Sequence, residues 1–104
     1  MSTNARVAVV TGAARGIGLA IARRFLADGY RTALLDIDAP TLAQTVQSLA
    51  PRESVLAIEC DVAEPVQVQR AVDQVAARFD RIDALVNNTK IAVFKPILET
   101  TYDE

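Results

Sequence analysis

Residues 11–18 read Thr11-Gly12-Ala13-Ala14-Arg15-Gly16-Ile17-Gly18, and glycines at this spacing can build a seat for a phosphate. The first turn of a helix has backbone N–H groups without internal acceptors and a partial positive charge, so an anion placed there meets donors and a favourable field together. Gly12 would let the chain turn sharply, Gly16 would let the backbone approach a pyrophosphate, and Gly18 would let the following helix pack closely on a sheet. A glycine-rich connection that binds nothing is the bland alternative. Asp36 lies eighteen residues after Gly18, close to the ~20 expected for a carboxylate that accepts from the hydroxyls of an adenosine ribose. A carboxylate there repels a 2′-phosphate and so favours NAD over NADP. Arg15 cuts the other way, since its guanidinium could accept that phosphate, although it could as well face the pyrophosphate or solvent. Asp36 or Asp38 could also do no more than cap the next helix.

Two further pairs close later apolar runs. Asp61-Val62 offers a carboxylate and a backbone amide that could meet the amino group and ring nitrogen of adenine, or could be local capping ahead of a helix. Asn87-Asn88 could fix a loop through side-chain hydrogen bonds while presenting carbonyls to a ligand, or mark only a turn.

These groups need elements to hold them. Four short apolar bursts, Val7–Val10, Thr32–Leu35, Val55–Ile58 and Ala84–Val86, suit strands buried on both faces. Ile17, Ala20, Ile21 and Phe25 give a helical pattern stopped at Asp28-Gly29. Leu42, Val46 and Leu49 share a face of a second helix, with Asp38 as cap candidate and Pro40 in its first turn. Val68, Ala71, Val72, Val75 and Phe79 form the stripe of a third, with Pro65 in its first turn. Strand and helix in alternation predict an α/β fold with a parallel sheet. Thr101-Tyr102-Asp103-Glu104 has capping-box spacing, so a helix is expected to begin there. The fourth burst would end with its outer edge uncovered. Both features predict that residues 1–104 are the N-terminal part of a larger protein.

Composition narrows the function classes. The 11 basic and 13 acidic residues are scattered, for a net charge of −2, which leaves no electrostatic footprint for nucleic acid or an anionic membrane. No run approaches the ~18 apolar residues of a membrane span. Cys60 is the only cysteine and the N-terminus has no signal-peptide pattern, so a cytoplasmic setting is expected. With no histidine, a Ser-His-Asp triad is excluded and metal catalysis is unsupported. Neither Tyr30 nor Tyr102 has a lysine at helical spacing, so the chain holds no evident proton donor for hydride chemistry.

Thr11-Gly12-x-x-x-Gly16-Ile17-Gly18, Asp36, Asp61-Val62 and Asn87-Asn88, in this order, resemble the N-terminal half of the short-chain dehydrogenase/reductase family. The resemblance covers almost the whole chain. It implies a Rossmann-type doubly wound sheet with strand order 3-2-1-4, and an NAD- or NADP-dependent oxidoreductase interconverting alcohols and carbonyls. It also implies contacts: the Gly12–Gly18 loop at the pyrophosphate, Asp36 at the ribose, Asp61 and Val62 at adenine, Asn88 near the inner ribose. Family members are commonly dimers or tetramers, so the intact protein is expected to be a homo-oligomer acting on a small-molecule alcohol or carbonyl. This chain departs from the family's Asn-Asn-Ala-Gly motif with Thr89-Lys90. The family's catalytic serine, its Tyr-x-x-x-Lys pair and its helix asparagine have no counterpart in these residues. A single cofactor-binding part without turnover is therefore expected. A non-catalytic NAD(H)-binding or regulatory module is the competing reading. A methyltransferase-like sheet is a third, disfavoured by the glycine spacing. Phe94, Pro96, Ile97 and Leu98 could wall a substrate pocket or pack under a helix.

Overall fold

The first strand, β1 (Val7–Thr11), is buried along its whole length, as a strand covered on both faces must be. It lies second from one edge of a parallel sheet in the computed structural model, which describes residues 5–88. The other strands are β2 (Arg31–Asp36), β3 (Val55–Glu59) and β4 (Ala84–Val86). Their spatial order is β3-β2-β1-β4, the order that the resemblance implies. Thr11 is level with Leu35, Asp36 with Glu59 and Val10 with Val86. All four strands therefore end at one side of the molecule, where parallel α/β sheets place their ligands. The expected capping box at Thr101–Glu104, the Thr89-Lys90 departure and the apolar cluster Phe94, Pro96, Ile97 and Leu98 lie outside the described residues.

Alternation along the strands splits the core in two. Val7, Val9, Ala33, Leu35 and Ile58 pack with Val68, Ala71, Val75 and Phe79 of α3 (Pro65–Phe79). Val10, Leu34 and Val55 pack on the other face with Ala22 and Leu26 of α1 (Gly16–Ala27) and Leu42 of α2 (Ala39–Gln47). Helices thus cover both faces, and each fully buried leucine contributes about 1.5–3 kcal/mol. In α3 the stripe is as read, with Val72 half-buried at its margin. In α2, Asp38 is the cap and its carboxylate accepts from the Thr41 N–H at 3.1 Å. That helix ends at Gln47, so Leu49 reaches the core from beyond it, 4% exposed.

The packed face of α1 is not the one suggested by its large residues. Gly18, Ala22 and Leu26 are buried, Ile21 and Phe25 are half-buried, and Ala20 is exposed; Ile17 is 71% exposed. The helix comes so close to the sheet at its start that only small residues fit against it. A Cβ on Gly18 would lie 2.0 Å from the Gly12 carbonyl oxygen, far inside contact distance. Apolar side chains such as Ile21 and Phe25 are displaced to the flanks.

Candidate functional site

At the carboxyl ends of the strands an open cleft of about 410 Å³ is bounded by Gly12, Asp36, Ile37, Asp61, Val62 and Asn88. Four connections thus contribute to one depression. The first leaves β1 with Gly12 at φ 62° and reaches α1 through Gly16 at φ 64°, left-handed conformations that favour glycine. Arg15, extended at φ −159°, stands at the N-cap of α1 and makes no side-chain capping bond. The first turn of α1 therefore has no side-chain cap from Arg15, and the Asn88 side chain lies against it at Gly18.

Asp36 holds this loop. Its Oδ2 accepts from the Ala14 N–H at 3.0 Å and its Oδ1 from the Asp38 N–H at 2.9 Å. One carboxylate at the end of β2 thus fixes both the loop between β1 and α1 and the start of α2. The cap role left open for Asp36 or Asp38 belongs to Asp38. Thr45 adds a second tie, its hydroxyl donating to the Ala14 carbonyl at 2.6 Å. Beside Asp36 the exposed Ile37 offers an apolar surface, 62% accessible.

Arg15 turns toward α2. Its Nη2 forms an ion pair with Asp38 Oδ2 and also donates to Thr41 Oγ1 at 3.1 Å. The Thr41 hydroxyl donates in turn to Asp38 Oδ2 at 2.8 Å. Hydrogen bonds from the Thr41 hydroxyl and amide, with the Arg15 guanidinium, hold the Asp38 carboxyl below its ordinary value.

Across the cleft, ahead of α3 and its N-cap Glu64, Asp61 makes a local turn. Its Oδ1 accepts from the Ala63 N–H at 2.9 Å, and its own N–H donates to Gln67 Oε1 at 2.9 Å. It nevertheless borders the cleft, as does Val62, which is 6% exposed and packed in the core. Cys60 lies beneath them, 1% exposed. Burial pushes its thiol up, with the Asp61 charge adding to the effect.

The closing strand is tied to β1 by a residue that the sequence reading passed over. Thr11 Oγ1 accepts from the Asn88 N–H at 2.9 Å and donates to Asn87 Oδ1 at 3.2 Å. Asn88 Nδ2 donates to the Gly12 carbonyl at 3.3 Å. Asn87 and Asn88 therefore fix a junction, and Asn88 also borders the cleft. Thr11 stood in the glycine motif without a role of its own, and its role exists only once β1 and β4 pair. Tyr30 packs edge-on against Phe25 with ring centroids 4.8 Å apart, at the end of the sheet opposite the cleft. Among the described residues no group of His, Cys, Asp and Glu could hold a metal, and no helix is long and apolar enough to cross a membrane.

The model of the short chain dehydrogenase family matches residues 6–104. The chain belongs to this family. Among short chain dehydrogenase relatives, 2-(R)-hydroxypropyl-CoM dehydrogenase of Xanthobacter autotrophicus is 48% identical over 88 residues, 83% of this chain and 35% of its own length. The solved structure of a variant of actinorhodin polyketide ketoreductase with NADPH matches with a TM-score of 0.77 and 36% identity, over 84% of this chain and 34% of that one. A short chain dehydrogenase/reductase from Burkholderia phymatum in complex with NAD matches with a TM-score of 0.74 and 32% identity, over 82% and 31%. The chain spans less than half the length of the curated relatives it matches. Both nicotinamide dinucleotides are found among these short chain dehydrogenase structures.

Proposed function

We propose that this chain forms the NAD-binding part of an oxidoreductase that interconverts alcohol and carbonyl groups by hydride transfer. The observation that carries this reading is Asp36, a carboxylate held by two backbone amides at the rim of a cleft, beside an uncapped helix start. Gly12, Gly16, Ile17 and Gly18 would lie under the pyrophosphate, with Arg15 at the rim. Asp36 would take the adenosine ribose hydroxyls, its fixed oxygens repelling a 2′-phosphate. Asp61 and Val62 would meet adenine against Ile37, and Asn87 and Asn88 would border the inner ribose. Bound NAD would supply the hydride acceptor or donor; these 104 residues hold the cofactor and supply no proton donor of their own. A cytoplasmic setting, a small-molecule alcohol or carbonyl substrate and homo-oligomeric assembly of the intact protein belong to the same proposal.

Calorimetric titration tests it. NAD+ is expected to bind more tightly than NADP+, and Asp36→Ala to weaken NAD+ by about tenfold, the cost of losing charge-assisted bonds. Equal or reversed affinities in the unsubstituted chain overturn the assignment of NAD. Cofactor-dependent turnover by the purified chain overturns the division of labour.

A further inference from the structure

The Arg15, Asp38 and Thr41 cluster stands beside the proposed ribose site, and the pairing of Arg15 with Asp38 has been given no part in cofactor choice so far. Asp36 anchors Ala14 with one oxygen and Asp38 with the other, so Arg15, next in chain to Ala14, and Asp38 are fixed on either side of the same carboxylate. A phosphate on the ribose 2′-oxygen would approach this place, and the one cation there is Arg15 among the described residues that border Asp36. Its Nη2 is already taken by Asp38 Oδ2 and Thr41 Oγ1, and Thr41 closes the triangle by donating to Asp38. Two acceptors at the start of α2, its N-cap Asp38 and Thr41, thus engage Nη2 of the guanidinium that a 2′-phosphate would seek.

We infer that Asp38 is a positioning residue for cofactor selectivity, acting through Arg15 by holding its guanidinium away from a 2′-phosphate. The inference rests on the dinucleotide reading above. It assigns selectivity to two carboxylates with different actions: Asp36 repels the phosphate directly, and Asp38 withholds the cation that would attract it.

Asp38→Asn is the informative variant, because asparagine caps a helix about as well as aspartate while losing the charge that holds Arg15. The ratio of NADP+ to NAD+ affinity, measured by calorimetric titration of the full chain, is expected to rise about fivefold, the upper range for an exposed ion pair. In an Arg15→Ala background the same Asp38→Asn change is expected to move the ratio less than about twofold, since no cation remains to be released. An equal rise in both backgrounds overturns the inference, because removal of a repulsive charge would then explain everything. No rise in either background overturns it too, as long as NAD+ binds. Failure of the unsubstituted chain to bind either dinucleotide sinks the dinucleotide reading itself and this inference with it. One readout needs no cofactor: in a carbon NMR titration, Arg15→Ala is expected to raise the Asp38 carboxyl midpoint, and an unmoved midpoint removes the pairing on which the inference stands.

Discussion

Thr32 is a hydroxyl in the wrong solvent. It is fully buried in β2, and its Oγ1 has no hydrogen-bond partner among the described residues. A buried hydroxyl without a partner costs about 1–3 kcal/mol, whereas a methyl of similar size would cost nothing. Thr32→Val is therefore expected to stabilise the chain by about 1 kcal/mol, read as a higher urea midpoint at unchanged slope. Thr11 has the same side chain and the opposite meaning, since its hydroxyl joins the ends of β1 and β4. The sequence could not distinguish these two threonines. Both sit in apolar runs, and what separates them is pairing between segments more than seventy positions apart. The glycines were legible because their roles are local: turning, approach and packing all act within a few residues. Asp36 was singled out by spacing as a candidate for the ribose; its bond from the Asp38 amide two residues on is local, whereas its bond from the Ala14 amide was not legible, because that loop meets β2 only when the sheet forms.

At the scale of elements, strands and helices followed from period and punctuation, and the errors fell where tertiary contact overrides pattern. In α1 the close approach expected at Gly18 is present, and because that approach is limited by backbone the small residues Gly18 and Ala22 are buried ahead of the larger Ile21 and Phe25. The start of β4 held another feature that pattern does not reveal. Asp83 donates its N–H to the Val7 carbonyl and accepts the Val7 N–H on Oδ2, both at 2.8 Å, while Arg81 grips the carboxylate through two nitrogens. Arg81 and the Val7 amide hold the Asp83 carboxyl below its ordinary value of 3.8. A depressed carboxyl contributes stability that is present above the unfolded value and lost as pH falls through the lower folded one. The β1–β4 junction is thus expected to weaken in acid. Asp83→Asn should lower the urea midpoint at neutral pH and make little difference once the pH has fallen below the lowered folded value, where the native carboxyl has lost its charge. A deficit of the same size in both conditions would mean that the charge plays no part.

At the scale of the whole molecule, the described sheet has two edge strands, β3 and β4, each paired on one side. β4 has three half-buried residues, pairs with β1, and among the described residues presents its far edge without a partner strand. Open edges invite pairing with another chain, and a domain of this length has little stability to spare. The 104-residue chain is expected to self-associate or to unfold at low denaturant. Sedimentation and urea titration over a range of concentrations would reveal a concentration-dependent mass or midpoint. A clean monomer with a cooperative, concentration-independent transition would contradict the expectation. The alternation of elements made the architecture readable from sequence, because a parallel sheet needs its crossovers written out in full.

The Gly12 carbonyl is the point where the three scales meet. It receives the Asn88 side chain and lies so close to Gly18 that a single carbon there would collide with it. Positions 12, 18 and 88 thus share one oxygen atom, although they belong to a strand end, a helix start and a loop. Their tolerance to change is therefore joint. A side chain at 18 has to displace the oxygen that 88 binds, so a redesign of this corner treats the three positions together, as if they were one composite residue.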